Sequence, residues 1–178
     1  MARLQRVLSK SGQPTVQVDG IAYHSAYDPQ REAEKFYSSF QLEQADVVLH
    51  FGWGLGYGGD ILRKRIRRDS RVIVFEPDAE LYALSSVEPD NRIEFVIGEK
   101  VRHFFDEWPL GDCRETDKFL WIEWPAALRQ HGSLAELLRL QLKTYIRDRA
   151  ANLLTHFQRG ERYFQNAVRN CKDRKSVV

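Results

Sequence analysis

The spacing of apolar positions switches along this chain, and each switch predicts a different element. Residues 15–23 alternate apolar and polar side chains around Asp19-Gly20, the pattern of a β-hairpin whose tight turn uses the positive φ that Gly supplies. Asp28-Pro29 reads as a helix N-cap followed by proline at the first helical position, and Ala33, Phe36, Tyr37 and Phe40 follow at helical spacing. From Asp46 onward, short continuous apolar runs alternate with helical patterns. Strands are expected at 47–51, 71–75, 93–97 and 118–122, with helices at about 57–67, 79–84 and 101–108 between them. Continuous apolar strands separated by helices predict a parallel sheet covered on both faces. In the C-terminal third, Leu134, Leu137, Leu138, Leu142, Tyr145 and Ile146 share one face of a helix capped by Ser133, and Leu153, Phe157, Phe164 and Val168 mark a second helix. The final stretch, 171–178, has no periodicity and is expected to fray. The pattern divides the chain into a hairpin and helix over 1–45, an α/β core over 46–132 and a helical extension over 133–178.

Composition narrows the class. A chain of 178 residues with 43% hydrophobic and 29% charged residues fits one globular domain with a real core rather than a disordered segment. A formal net charge of +2 announces neither a nucleic-acid nor a membrane partner. The two cysteines, Cys113 and Cys171, lie far apart without CxxC spacing, which argues against a secreted disulfide framework and for a reducing cytoplasm. The basic start, Met1 to Arg6, is not followed by an apolar run, so no signal peptide is read. No apolar stretch approaches the roughly 20 residues of a membrane span.

The candidate chemistry sits where the first core strand ends, in His50-Phe51-Gly52-Trp53-Gly54-Leu55-Gly56-Tyr57-Gly58-Gly59. A strand running into a glycine-rich turn and then a helix lets backbone approach a ligand and turns free N–H groups toward it. Gly52-x-Gly54-x-Gly56 is the form found in Rossmann-like methyltransferases that bind S-adenosylmethionine, and Gly54-x-Gly56-x-x-Gly59 is the dinucleotide fingerprint. Both want an acid at the end of the next strand to hold ribose hydroxyls, and Glu76 stands there. The expected fold is thus α/β, a three-layer Rossmann-like sheet with an N-terminal hairpin and a helical C-terminal extension. Gly52, Gly54, Gly56, Tyr57 and Glu76 are the cofactor candidates, for S-adenosylmethionine or another nucleotide. In the competing reading the glycines only permit close strand–helix packing and Glu76 caps the helix that begins near Asp78. One residue departs from the methyltransferase pattern: His50 stands where those enzymes usually carry an acid. Glu99 either contacts an adenine or caps the next helix.

Glu123, in Trp121-Ile122-Glu123-Trp124-Pro125 at the end of the fourth strand, is the one candidate general base, with Trp124 as a stacking surface. The segment loosely resembles the acid-Pro-Pro-aromatic motif of amino-methyltransferases but lacks the second proline, and an ordinary strand-end turn is the favoured reading. The basic run over 63–68 closes a helix, where positive charge complements the macrodipole, and no aromatic residues interleave it as a single-strand binder requires. The five histidines show no metal-ligand spacing, so no metal is expected.

Three blocks together resemble the N-terminal domain of motility accessory factor (Maf) proteins. They are Tyr23-His24-Ser25-Ala26-Tyr27-Asp28-Pro29-Gln30-Arg31-Glu32-Ala33; the glycine loop followed by Phe75-Glu76-Pro77-Asp78; and a tail with Asn152, Thr155, Phe157, Asn166 and Asn170. The resemblance implies a role in bacterial flagellin glycosylation, where Maf proteins are similar to nonulosonic acid transferases. In that family the catalytic domain follows this one, so the resemblance implies an accessory module. Flagellin or glycosylation machinery would then be engaged through a further domain. His24, Ser25 and Asp28 would line the mouth of the nucleotide pocket, or serve as hairpin exit and helix cap. Two other functions fit the same residues. One is a stand-alone methyltransferase with Glu123 near the transferred group. The other is a degenerate Rossmann module acting through protein contacts, with Trp53 or Tyr57 filling the cofactor space. An apolar face on the last helix would promote a homodimer.

Overall fold

A computed structural model describes residues 4–86, 90–108, 113–114 and 116–173, with 151–173 described by their backbone alone. Two sheets organise the chain. Strands β1 (Leu4–Leu8), β2 (Pro14–Val18) and β3 (Ile21–Ala22) form an antiparallel sheet in that order. The β2–β3 turn is Asp19-Gly20, with φ of +50° and +80°, the paired positive values that a tight hairpin demands. Helix α1 (Pro29–Ser38) follows, and the Asp28 side chain accepts from the Arg31 N–H as the expected cap.

The core sheet has the order β6-β5-β4-β7, all parallel: β4 (Val47–Phe51), β5 (Arg71–Glu76), β6 (Ile93–Ile97) and β7 (Phe119–Glu123). Every residue of the central strand β4 is buried, which is why it reads as an unbroken apolar run rather than an alternation. Between the strands run α2 (Gly59–Arg65), α3 (Ala79–Ala83) and α4 (Lys100–Glu107). Helix α5 (Pro125–Asp173) begins directly after β7 and is kinked at His131. Its start lies before the Ser133 cap that the sequence pattern places, because Pro125 occupies the first helical position. Of the stretch 171–178 expected to fray, 171–173 continue the backbone of α5 and 174–178 lie outside the described residues. No helix among the described residues is long and apolar enough to cross a membrane.

Parity along the strands sorts the aromatic core into two layers. Tyr37, His50, Trp53 and Phe95 follow one another on the face covered by α1 and α2. Phe75, Phe104, Trp121 and, further out, Trp108 and Tyr145 fill the face covered by α4 and α5. The small sheet is tied to this core by its own exit segment. Tyr23 donates its N–H to Val16, Thr15 Oγ1 donates to the His24 carbonyl, and the Trp124 indole donates to the Tyr23 carbonyl.

Candidate functional site

The glycine loop leaves β4 where the sequence places it. Gly52, Gly54 and Gly56 adopt φ of +85°, +61° and +88°, values that side-chain-bearing residues rarely take. Such a loop turns its N–H groups inward, toward whatever fills it. Here the filling comes from the chain itself.

Glu76 ends β5 and is fully buried. Its Oε2 accepts from the Trp53 N–H at 2.7 Å and the Gly54 N–H at 3.0 Å, and its Oε1 accepts from the Asp78 N–H at 3.1 Å. Burial raises its pKa, and these three N–H groups oppose that shift. Both oxygens of the carboxylate that would face ribose hydroxyls thus accept from backbone, Oε2 twice and Oε1 once. The helix α3 cap is a separate residue: Asp78 accepts from the Leu81 N–H.

The next loop N–H is taken from the other side. Leu55 donates to His24 Nε2 at 2.9 Å, so that nitrogen is unprotonated and the ring proton sits on Nδ1, which is buried without a partner. Burial pulls the His24 pKa down to about 3, so the ring is neutral. A Cβ built on Gly54 would overlap the His24 ring and crowd Tyr23, and one on Gly52 would overlap Ala127 of α5. The close approach that these glycines permit is therefore used by the segment 23–24 and by α5. The Tyr23 hydroxyl is also buried near Glu76 without a hydrogen bond of ordinary geometry. Burial and the neighbouring carboxylate push its pKa well above the usual phenol value.

The remaining candidates fall into place around this seat. His50 lies beneath the loop, fully buried, with its Nε2 2.7 Å from the Tyr37 hydroxyl and a pKa pulled down to about 4 by burial. Ser25 Oγ accepts from the N–H groups of Tyr27 and Asp28, and the Ser25 N–H donates to Glu32, so Ser25 and Asp28 build the entry to α1. Trp53 is buried, with its indole edge-on to Phe95 and lying against Gly56 and Gly59. Tyr57 meets the His24 ring edge-on and donates its hydroxyl to the Pro14 carbonyl. Glu99 stands at the N-cap of α4, but its side chain makes no capping hydrogen bond. Glu123 Oε1 accepts from the Trp121 indole at 2.7 Å and pairs with Arg139 at 3.4 Å. Among the described residues no cluster of His, Cys, Asp and Glu fits a metal.

A cavity of about 480 Å³ opens against the second half of the loop, lined by Leu55, Gly56 and Tyr57 together with Arg6, Gln13 and Asp60 among others. Sequence reasoning places Glu76 at the end of β5, where it stands, and His24 at the mouth of the loop, but it does not foresee that Tyr23 and His24 pack against the glycines. The signal available was that the block 23–33 has no place in a generic nucleotide-binding unit.

No family model matches the chain, and no curated protein matches it. Among solved structures it is similar to spermidine synthase from Thermotoga maritima, at 18% identity over 60% of this chain and 40% of that one, with a TM-score of 0.47. It is also similar to a protein-L-isoaspartate O-methyltransferase, at 13% identity over 56% of this chain and 29% of that one, with a TM-score of 0.34. A methyltransferase from Geobacter sulfurreducens aligns at 23% identity over 42% of this chain and 40% of that one, with a TM-score of 0.30. The chain spans two fifths or less of the length of each. The parallel strand order β6-β5-β4-β7 with helices between its strands is by itself a Rossmann-like α/β sheet, joined to a small antiparallel sheet.

Proposed function

We propose that this chain is an accessory Rossmann-like module, not a self-sufficient catalyst, and that its glycine loop is a seat for its own N-terminal segment. One observation carries the reading: the N–H groups of Trp53, Gly54 and Leu55 are all taken, two by Glu76 and one by His24. A ligand phosphate or ribose at this place would have to displace a buried carboxylate and a buried imidazole together. The segment that closes the loop belongs to the block 23–33, which carries the resemblance to Maf proteins, so two of the three resembling blocks form one packed unit. On that resemblance the module would serve a cytoplasmic Maf-like protein of flagellin glycosylation, with sugar transfer carried out by another domain.

A stand-alone methyltransferase is the competing function. It keeps the loop and Glu76 in the positions that S-adenosylmethionine enzymes use, and it needs the 23–24 segment to move aside.

Calorimetry and thermal shift with S-adenosylmethionine, S-adenosylhomocysteine and NAD separate the two readings. A ligand at a hundred times its dissociation constant stabilises a fold by roughly 2.7 kcal/mol, well within detection. We expect no shift for the wild-type chain, and no transfer from a CMP-activated nonulosonic acid to flagellin by the chain alone. Binding of S-adenosylmethionine that disappears in Glu76→Ala would replace this reading with the methyltransferase one.

A further inference from the structure

Strand β1 carries a charge where its partner strand carries core. In the β1–β2 pairing Leu4 stands opposite Val18, Arg6 opposite Val16 and Leu8 opposite Pro14. Directly opposed residues of an antiparallel pair share a face, so Arg6 belongs to the face of Val16 and Val18, which are both buried. Its guanidinium has neither an ion pair nor a hydrogen bond among the described residues.

Arg6 and Pro14, on this face, line the cavity of about 480 Å³ to which the core contributes Leu55, Tyr57 and Leu84. Hydrogen bonds hold its walls in place. The Tyr57 hydroxyl donates to the Pro14 carbonyl and ties the two sides together. On the core side the Ser86 N–H donates to the Leu55 carbonyl at 3.4 Å. On the other side Gln13 Oε1 accepts from Ser11 Oγ at 3.3 Å and from the Gln30 N–H at 3.4 Å. That fixes the Gln13 amide and leaves its side-chain nitrogen a donor without a partner among the described residues.

The charge on these walls does not balance. Arg63 pairs with Asp60, and the two cancel, which leaves Arg6. Burial raises the Tyr57 pKa, the Arg6 charge opposes that shift and Asp28 adds to it, so guanidinium and phenol share one neighbourhood. A guanidinium fork takes a carboxylate or a phosphate through two parallel hydrogen bonds, and an amide nitrogen beside it adds a further donor. Leu55, Leu84, Pro14 and the Tyr57 ring offer apolar surface to whatever carries the anion. The volume falls in the range of small-molecule sites, roughly 300–1,000 Å³.

We infer that this cleft between the two sheets binds a small organic anion, a carboxylate or phosphate on an apolar body, with Arg6 as its charge partner. The cleft lies against residues 55–57, while Glu76 and His24 take the N–H groups of residues 53–55, and the inference does not rest on the reading of the loop given above.

Calorimetry on the full chain with phenyl phosphate, benzoate, inorganic phosphate and benzyl alcohol tests it. Phenyl phosphate or benzoate should bind, and which of the two binds tighter names the anion. Inorganic phosphate should bind about tenfold more weakly than phenyl phosphate, and benzyl alcohol not detectably. Arg6→Gln should weaken the anion about tenfold or more, and Arg6→Lys by less. Arg6 is exposed, so the far-UV spectrum of either variant should match wild type. Leu84→Glu, which sets an acid among the lining residues, should abolish binding. Anion binding that Arg6→Gln leaves unchanged, benzyl alcohol as tight as benzoate, or inorganic phosphate as tight as phenyl phosphate would each overturn the inference. So would the absence of binding by any of the anions at millimolar concentration, which would reduce Arg6 to a charge that guards the edge of β1 against pairing.

Discussion

Glu76 Oε2 lies 2.7 Å from the Trp53 nitrogen and 3.0 Å from that of Gly54, so an acid at the end of one strand fills the loop at the end of its neighbour. Removing the carboxylate strands these donors in a buried site, and each unsatisfied group carries a desolvation cost. Glu76→Ala should lower unfolding free energy by about 2–4 kcal/mol, and Glu76→Gln, which keeps an acceptor oxygen, by about 1 kcal/mol. Urea denaturation measures both. An Ala variant as stable as wild type would mean that the carboxylate does not hold the loop.

Gly54 tests the other wall of the seat. Gly12 and Gly54 share positive φ, but a Cβ on Gly12 meets nothing within 4 Å whereas one on Gly54 overlaps the His24 ring. Gly12→Ala should cost only backbone strain, about 1 kcal/mol. Gly54→Ala should cost about 2 kcal/mol more, through overpacking. His24→Ala in the Gly54→Ala background should recover part of that excess, and a double-mutant cycle reports the coupling. Equal costs at the two glycines would remove His24 from the loop.

The strands of the core sheet were legible in the sequence because a strand buried on both faces is a continuous apolar run, and Val47–Phe51 is one. The hairpin turn was legible because Asp19-Gly20 is a local signal. Strand β1 was not read: it buries no residue fully and leaves Gln5, Arg6 and Leu8 exposed, so no period marks it. The occupant of the loop was hidden for another reason. Glycine spacing and the acid at position 76 describe a loop and its neighbour, while His24 reaches Leu55 across 31 positions, and Tyr23 reaches Trp124 across 101. Periodicity carries no information about such pairs. The block 23–33 stands out in the sequence, and only the packing shows that Tyr23 and His24 in it face the glycines.

Tyr37 and His50 form a buried polar pair, 2.7 Å apart, beneath the same loop. A Cβ on Gly58 would overlap the Tyr37 hydroxyl, so the pair is held from above as well. Tyr37→Phe leaves the His50 Nε2 without a partner and should cost about 1–3 kcal/mol. Replacing both partners by apolar rings of similar shape removes the unmet demand. The Tyr37→Phe, His50→Phe double variant should therefore be more stable than the sum of the single changes predicts, by about 1 kcal/mol or more. Strict additivity would show that the two groups do not depend on each other.

Acid sensitivity follows from the two buried imidazoles. Burial holds His24 and His50 neutral, with pKa values of about 3 and about 4 against the ordinary 6.5. A group with a depressed folded pKa binds fewer protons in the fold than in the unfolded chain, so stability rises with pH between the two values. The contribution is complete above pH 6.5 and is lost progressively as pH falls toward 4. Glu76 and Glu32, both raised by burial, act in the opposite sense as they take up protons, so the window from 6.5 down to 5.5 is read as a difference between two proteins that keep both carboxyls. One such imidazole changes unfolding free energy by up to about 1.4 kcal/mol per pH unit there. Urea midpoints measured across this window should fall with acid in the wild-type chain. The slope of unfolding free energy against pH in the Tyr37→Phe, His50→Phe variant should be smaller by up to that amount. Equal slopes in the two proteins would mean that His50 is not held neutral by its burial.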